Sequence, residues 1–158
     1  MKQNTSVEAY LDDYQLLTVE VSRRYYNGFC ESFYVREKSG TIIHCKMKSN
    51  AIFDNFNRYQ LELDEELIPG NEYDLVVNQG YRCPVAFRYI VQTSRFDEEY
   101  SYEGDDLGAA VHDGKTMFNL WAPTAVGVTL CIKEQKNQYY DMERSDKGVW
   151  RFSVEQDL

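Results

Sequence analysis

Segments in which apolar and polar side chains alternate one by one recur along the first part of the chain. In QLLTVEVS, Leu17, Val19 and Val21 fall on one face of a strand, with polar residues between them. The same period of two continues in FCESFYVRE, TIIHCKMK, RYQLELD, EYDLVV and VAFRYIVQ. The pattern predicts six half-buried strands in residues 1–95. Their apolar faces align Leu17, Val19, Val21, Phe29, Phe33, Val35, Ile43, Cys45, Met47, Tyr59, Leu61, Leu63, Tyr73, Leu75, Val77, Val85, Phe87, Tyr89 and Val91.

Turn residues separate these segments. Asn27-Gly28 suits left-handed backbone, and Pro69-Gly70 suits a type II turn. One stretch, SNAIFDNFNRYQ at residues 49–60, fits a helical turn and an ordered loop equally well. Short strands without a convincing helical window predict an all-β fold, an antiparallel β-sandwich that buries one face of each sheet.

The composition changes at RFDEEYSYEGDDLGA, where acidic residues and two glycines crowd between strand patterns. We therefore predict a first domain at residues 1–95 and a second at residues 96–158. Alternation then resumes in four segments, TMFNLWA, VGVTLCIK, QYYDMER and GVWRFSVE. An immunoglobulin-like sandwich needs about seven strands, so the second domain is expected to be a partial immunoglobulin-like sandwich with an incomplete core. On its first strand we expect Phe118 and Leu120 to be buried and Trp121 to face the opposite surface or a domain contact.

Charge and composition narrow the possible partners. The chain carries 26 acidic and 17 basic residues, a formal net charge of -9, and no basic stripe. Nucleic acid and anionic membrane surfaces are therefore not expected as partners. The beginning of the chain lacks the apolar core of a signal peptide, and four scattered cysteines read as buried thiols, so a cytoplasmic location is expected.

The spacing of the acidic, histidine and cysteine residues does not indicate a catalytic site or a metal site. Asp105 and Asp106 are adjacent in a turn, whereas the two carboxyl groups of a glycosidase face each other about 5 to 9.5 Å apart. The acidic cluster around them lacks the spacing of a calcium loop. His44 and Cys45 point to opposite faces of one strand, and His112 stands alone. We predict no catalytic residue, no metal and no cofactor.

Carbohydrate binding fits the aromatic residues better. Aromatic rings stack on the apolar faces of glucose, while nearby carboxylates and amides bind the hydroxyl groups. The candidate carbohydrate-binding residues are Tyr100, Tyr102, Trp121, Tyr139 and Tyr140. For Trp121 a structural role on its strand is the competing interpretation.

Two stretches of the chain resemble a known enzyme family. FDEEYSYEGDDLGA followed by TMFNLWAPTAVGVTL resembles the segment that joins the first two N-terminal domains of type I pullulanases, debranching enzymes of the α-amylase superfamily. VEAYLDDYQLLTVEV is similar to the start of intracellular pullulanases. The residues that match the joining segment are Phe96, Asp97, Tyr100, Tyr102, Gly104, Asp106, Leu107, Gly108, Thr116, Phe118, Leu120, Trp121, Ala122, Pro123, Thr124 and Ala125.

The resemblance implies that the whole enzyme hydrolyses α-1,6-glucosidic linkages in pullulan, glycogen and starch, with two acidic residues in a separate catalytic barrel. The signature YNWGYNP of that barrel has no counterpart in this sequence. The chain is thus expected to be a non-catalytic N-terminal part that binds α-glucan or packs on the catalytic barrel through Tyr100, Tyr102 and the GDDLG turn. Where related starch-binding modules carry a stretch like FNNW, this chain reads EQKNQYY, which leaves Tyr139 and Tyr140 as the sugar platform. A freestanding glucan-binding or protein-interaction module is the alternative.

Overall fold

The computed structural model describes residues 6–78, 80–133 and 137–155. The chain forms two compact units, Met1–Thr93 and Ser94–Leu158. Within the described residues thirteen strands and one α-helix form, which confirms the all-β prediction. No helix among these residues is long and apolar enough to cross a membrane.

The first unit is a closed barrel of seven strands in the order β1-β2-β5-β4-β3-β6-β7. Neighbouring strands run antiparallel, except that β1 and β7 close the barrel as a parallel pair. The two layers expected of a sandwich are therefore opposite walls of one continuous sheet. The strands are β1 Val7–Asp13, β2 Leu16–Ser22, β3 Phe33–Glu37, β4 Ile42–Ile52, β5 Phe56–Leu63, β6 Tyr73–Val77 and β7 Tyr81–Phe87.

The barrel interior holds the aligned residues of three predicted strands, β2, β5 and β6, whereas Met47 on β4 is exposed. Leu17, Val19 and Val21 of β2 are fully buried, and the aligned residues of β5 and β6 are also buried. Each such side chain contributes about 1.5 to 3 kcal/mol through burial. Thr18, expected on the outer face, is also buried, because its hydroxyl donates a hydrogen bond to Asp12 Oδ2 at 2.5 Å.

A charged pair lies where the barrel closes. Arg88, directly after β7, donates from Nε to Asp12 Oδ1 and from Nη2 to Asp12 Oδ2, both at 2.7 Å. Its guanidinium lies 4.4 Å from the ring centre of Tyr10 and 4.6 Å from that of Tyr89. The Arg88 backbone N–H also donates to Leu11 O at 2.9 Å. These contacts fix the end of β7 against β1.

Three sequence predictions for the first unit are wrong in detail. Residues 29–32 are not part of a strand, because a 3₁₀ turn at Tyr26–Gly28 precedes them and β3 begins only at Phe33. Residues 49–60 form neither a helical turn nor an ordered loop: β4 continues to Ile52 and a short turn leads into β5. The last predicted strand ends at Phe87, and a 3₁₀ turn at Tyr89–Gln92 follows, so Tyr89 is 54% exposed rather than buried.

The second unit starts with helix α1, Ser94–Tyr100. Four of its strands form a sheet in the order β12-β13-β9-β8, and β10 and β11 form a separate hairpin. Strand β8 lies outside the four predicted segments. The predicted segment QYYDMER is divided between β11 and the short β12. The strands are β8 Gly108–His112, β9 Lys115–Trp121, β10 Thr129–Lys133, β11 Asn137–Asp141, β12 Glu143–Arg144 and β13 Val149–Val154.

One face of the four-stranded sheet is only partly covered. Phe118 and Phe152 pair across β9 and β13, and Tyr140 of the hairpin stacks on Phe152 with ring centres 4.8 Å apart. Leu120, on the same face, is 47% exposed, so the prediction that it is buried is wrong. The physical reason is that the hairpin ring lies over Phe152 and leaves the end of β9 uncovered.

Candidate functional site

Three of the candidate aromatic residues lie where α1 meets the sheet of the second unit. The indole Nε1 of Trp121 donates to the backbone oxygens of Tyr100, at 2.8 Å, and of Lys147, at 3.1 Å. The Tyr100 ring packs on Phe96, with ring centres 4.8 Å apart. Trp121, at the end of β9, therefore ties the end of the helix to β9 and to the 3₁₀ turn Asp146–Gly148, while the residue remains 41% exposed.

Tyr102 belongs to a hydrogen-bond network at the GDDLG turn. Its hydroxyl donates to Asp106 Oδ1 and accepts a bond from Arg151 Nη2 at 3.1 Å. Arg151 Nη1 donates to Asp106 Oδ2 at 2.7 Å, and Asn119 Nδ2 donates to Asp106 O at 2.7 Å. Hydrogen bonds from Tyr102 and Arg151 hold the pKa of the Asp106 carboxyl below its usual value. The Tyr102 hydroxyl is thus already engaged within the unit.

Tyr139 and Tyr140 follow each other on β11 and point to opposite faces. Tyr140 stacks on Phe152 and donates from its hydroxyl to Gln138 Oε1. Tyr139 is 66% exposed. Asp141 lies two residues further along, on the Tyr139 face, about 7 Å away along the strand.

A groove of about 470 Å³ opens beside these residues in the second unit. Its lining includes one thioether, two carboxylates, an amide and a guanidinium, whereas the Phe152 ring itself lies on the opposite face of the sheet, stacked on Tyr140. The lining residues are Met117, Asn119, Asp141, Glu143, Arg151, Phe152 and Ser153. We call this surface the sheet groove. A groove of this size lies within the range of small-ligand sites, and apolar patches next to hydrogen-bonding groups are what a sugar requires.

Sequence reasoning identified the tyrosines beside the sheet groove but missed the groove itself. Asp141 and Glu143 stand in a predicted strand segment, and Phe152 and Arg151 stand in another. Nothing in the sequence showed that these two segments lie side by side. The one feature that both segments share in the sequence is polar residues at the exposed positions of a strand. Every sheet with a solvated face has such residues, so they do not indicate a binding site.

The four cysteines are free thiols, and three of them are expected to be unreactive at neutral pH. Burial raises the pKa of Cys30 and of Cys45 to about 11 and that of Cys83 to about 12. A thiol with such a pKa is not a nucleophile at neutral pH. Across the described parts of the chain, no group of three or more His, Cys, Asp or Glu is placed to hold a metal ion.

Taken together, the barrel, the partial sheet and its groove are features of the all-β accessory modules of carbohydrate-active enzymes. The chain belongs to the pullulanase N1-terminal domain family, which matches residues 7–92. Residues 106–158 match carbohydrate-binding module 48, the isoamylase N-terminal domain. The resemblance to a pullulanase N-terminal region that the GDDLG and WAP motifs indicated is confirmed.

Several pullulanases are similar to the chain over nearly its whole length. The pullulanase of Bacillus subtilis (strain 168) is 26% identical over 155 residues, which are 97% of this chain and 21% of that protein. The crystal structure of a pullulanase from Anoxybacillus sp. LM18-11 complexed with maltotriose has a TM-score of 0.86 and 29% identity, over 97% of this chain and 22% of that one. The type I pullulanase from Bacillus subtilis str. 168 complexed with maltose has a TM-score of 0.90 and 23% identity, over 100% of this chain and 22% of that one, a likeness of fold. The chain spans about a fifth of the length of these relatives.

Proposed function

We propose that this chain is the non-catalytic, α-glucan-binding part of a pullulanase whose whole form hydrolyses α-1,6-glucosidic linkages in pullulan, glycogen and starch. Family membership supports the pullulanase assignment, and a similar pullulanase has been crystallised with maltotriose. The domain limits 1–95 and 96–158, an immunoglobulin-like second unit and a cytoplasmic location belong to the same proposal. Four free thiols favour a reducing compartment.

The observation that carries glucan binding is the composition of the sheet groove. Met117 offers apolar surface to a sugar ring, and the carboxylates of Asp141 and Glu143 accept hydrogen bonds from its hydroxyl groups. Tyr139, on the strand face of Asp141, extends this surface with an exposed aromatic ring. A linear glucan is long enough to contact both the groove and Tyr139.

A second role, as a scaffold, rests on Trp121 and Tyr102. Both side chains use their polar atoms on partners within the second unit, as an anchor does. We propose that these two residues maintain the shape of the unit, whereas Tyr139 and the sheet groove bind the glucan. The contribution of the Trp121 ring to a contact with the catalytic barrel is part of this scaffold proposal.

Glucan binding is tested with the purified chain by electrophoresis in gels containing glycogen. We expect the chain to be retarded, and we expect Tyr139→Ala and Glu143→Gln each to weaken affinity by about tenfold, the equivalent of 1.4 kcal/mol. Glu65→Gln is the matched control, because Glu65 is exposed on the first unit and lies outside the groove. Equal retardation of Glu65→Gln and Glu143→Gln would contradict the role of the sheet groove.

The scaffold role is tested in a complete pullulanase that carries this region. Trp121→Ala and Tyr102→Ala are expected to lower the melting temperature and to leave glucan affinity unchanged. Lower affinity at normal stability would instead make these two residues part of the binding surface.

A further inference from the structure

The second half of strand β4 has a neighbouring strand on only one of its two sides. β5 pairs with β4 from Cys45 to Ile52. Within the described residues, β3 pairs with β4 only at Ile42, Ile43 and His44. The backbone of residues 46–52 therefore has strand pairing on the β5 side alone. We call this stretch, residues 46–52, the β4 edge.

The β4 edge is open because the chain before β3 turns toward β6. The Glu31 backbone N–H donates to Asn78 Oδ1 at 2.9 Å, and Ser32 O accepts a hydrogen bond from the Asn78 backbone N–H at 3.1 Å. Asn78 directly follows β6. These bonds hold the residues that would otherwise extend β3 along the β4 edge. Phe29, predicted on the inner face of a strand, lies in the same departing segment and is 57% exposed.

Backbone groups of alternate residues at the β4 edge point away from β5. The Phe53 N–H donates to Phe56 O at 2.9 Å, at the turn between the two strands. In an antiparallel ladder the hydrogen bonds to one neighbour come from every second residue. The N–H and C=O groups of Ala51 therefore face β5. Those of Asn50 and Ile52 face outward, and unpaired groups of this kind are a template for another strand.

The side chains of the β4 edge combine exposed apolar surface with positive charge. Ile52 is 59% exposed and Met47 is 49% exposed, although the partner of each on β5 is buried. Lys46 and Lys48 make only exposed ion pairs of 3.8 Å within the unit. Asp54, in the turn after β4, is the only acidic residue in residues 46–54. The edge is thus locally basic in a chain of net charge -9, so two copies repel each other least at this surface.

We propose that the β4 edge pairs with the same edge of a second copy of this chain, antiparallel, about a two-fold axis at Asn50. The outward N–H and C=O groups of the two Asn50 residues then bond to each other. Each Asn50 side chain also offers an amide donor and an amide acceptor to its counterpart. Ser49 lies opposite Ala51 of the second copy. Ile52 lies opposite Lys48, whose aliphatic stem covers it, and like charges do not face each other in this register.

Charge and strand geometry favour a second copy as the partner. Asp54 of one copy lies at the end of the pairing where Lys46 and Lys48 of the other copy stand, so opposite charges meet at both ends. Lys48 is an extra residue in β4, a bulge that ends regular pairing before Met47. The contact uses the same edge on both copies, so it closes as a dimer and does not extend into a fibre. An interface of so few residues belongs to the small, weak class of protein contacts.

Self-association is measured by analytical ultracentrifugation of the purified chain over a range of concentrations. We expect a monomer–dimer equilibrium with a dissociation constant in the micromolar range. A chain that stays monomeric up to millimolar concentration would overturn the proposal. Species that keep growing beyond a dimer would overturn it as well, because a two-fold contact closes.

Hydrogen exchange of single backbone amides, measured by NMR, locates the contact. As the concentration rises and the dimer forms, exchange at Asn50 and Ile52 should slow by about tenfold or more. Exchange at Ala51, whose N–H already bonds to β5, should not change. Protection on another surface without protection of Asn50 and Ile52 would place the dimer contact elsewhere and overturn the proposal.

Two substitutions test the backbone and the side chains of the contact separately. Asn50→Pro removes an outward N–H that β5 does not use, as proline on an edge strand does. Ile52→Lys places a second positive charge opposite Lys48 of the other copy. Each is expected to weaken dimerisation by about tenfold or more.

Ile68→Lys is the matched control, since Ile68 is 55% exposed on the same unit outside β4, and it is expected to dimerise as the parent does. Melting followed by circular dichroism checks that each variant is folded. Ile52→Lys leaves the backbone of the strand unchanged, so it decides the question even where Asn50→Pro does not fold. Unchanged dimerisation of folded Ile52→Lys, or an equal loss in Ile68→Lys, would overturn the proposal.

Discussion

Arg88 is the residue whose contacts most directly close the barrel of the first unit. Its guanidinium pairs with Asp12 through two hydrogen bonds and lies between the rings of Tyr10 and Tyr89. The side chains of Arg88 and Asp12 are only 28% and 11% exposed. A charged pair with this little solvent depends on both partners, because removal of one leaves the other poorly solvated.

We expect Asp12→Asn to lower the free energy of unfolding by about 2 kcal/mol at neutral pH, the size of a hydrogen bond to a charged group. The measurement is urea unfolding followed by circular dichroism. Lys38→Ala is the matched control, because the Lys38–Glu72 pair is exposed, and no resolvable change is expected there. A loss of the same size in both variants would contradict the role of the closure pair.

The same substitution has a defined pH dependence. Burial by itself would raise the pKa of Asp12, but hydrogen bonds from Arg88 and Thr18 outweigh it and lower that pKa below its usual 3.8. The stabilisation is therefore present above the unfolded pKa and is lost as the pH falls through the lower folded pKa. The difference in unfolding free energy between the parent chain and Asp12→Asn should shrink below pH 3.8. A difference that stays constant down to pH 2.5 would be inconsistent with this account.

At the scale of elements, the alternation of apolar and polar residues correctly predicted a strand such as β2, which has another strand on each side in the sheet. Leu17, Val19 and Val21 lie inside the barrel as their spacing indicated. The prediction did not include β1, although Val7, Ala9 and Leu11 are buried at alternate positions. Two adjacent aspartates at the end of that segment hid the pattern, and one of them, Asp12, is partly buried through its ion pair. A polar residue that finds a partner across the fold cannot be recognised from local spacing.

Helix α1 also depends on contacts that local spacing in the sequence does not reveal. Its seven residues span fewer than two full turns, too short for periodicity to reveal and too short to be stable alone. An Arg95–Glu99 pair at 2.7 Å supports it from within. Its remaining support comes from residues that are distant in sequence, Trp121 and Lys147, whose side chains bond to Tyr100 O and Glu98 O.

Trp121→Phe is expected to loosen α1 while keeping an aromatic ring in place. It removes the two hydrogen bonds from Nε1, each worth about 1 kcal/mol, so amide hydrogen exchange in residues 94–101 should accelerate by about tenfold or more. Exchange followed by mass spectrometry provides the measurement. Tyr139→Phe serves as the control, since Tyr139 is exposed on β11, outside these bonds. Unchanged exchange in α1 would show that Trp121 does not anchor the helix.

At the scale of the whole molecule, the closure of the barrel could not be predicted from the residue pattern of single strands. The parallel pair places Ala9 opposite Val85, residues that are far apart in the chain. An antiparallel pattern of hairpins favours an open sandwich unless the first and last strands are known to meet. The candidate tyrosines illustrate the same point for function: their type indicated sugar binding, but only the fold separates the exposed Tyr139 from the hydrogen-bonded Tyr102.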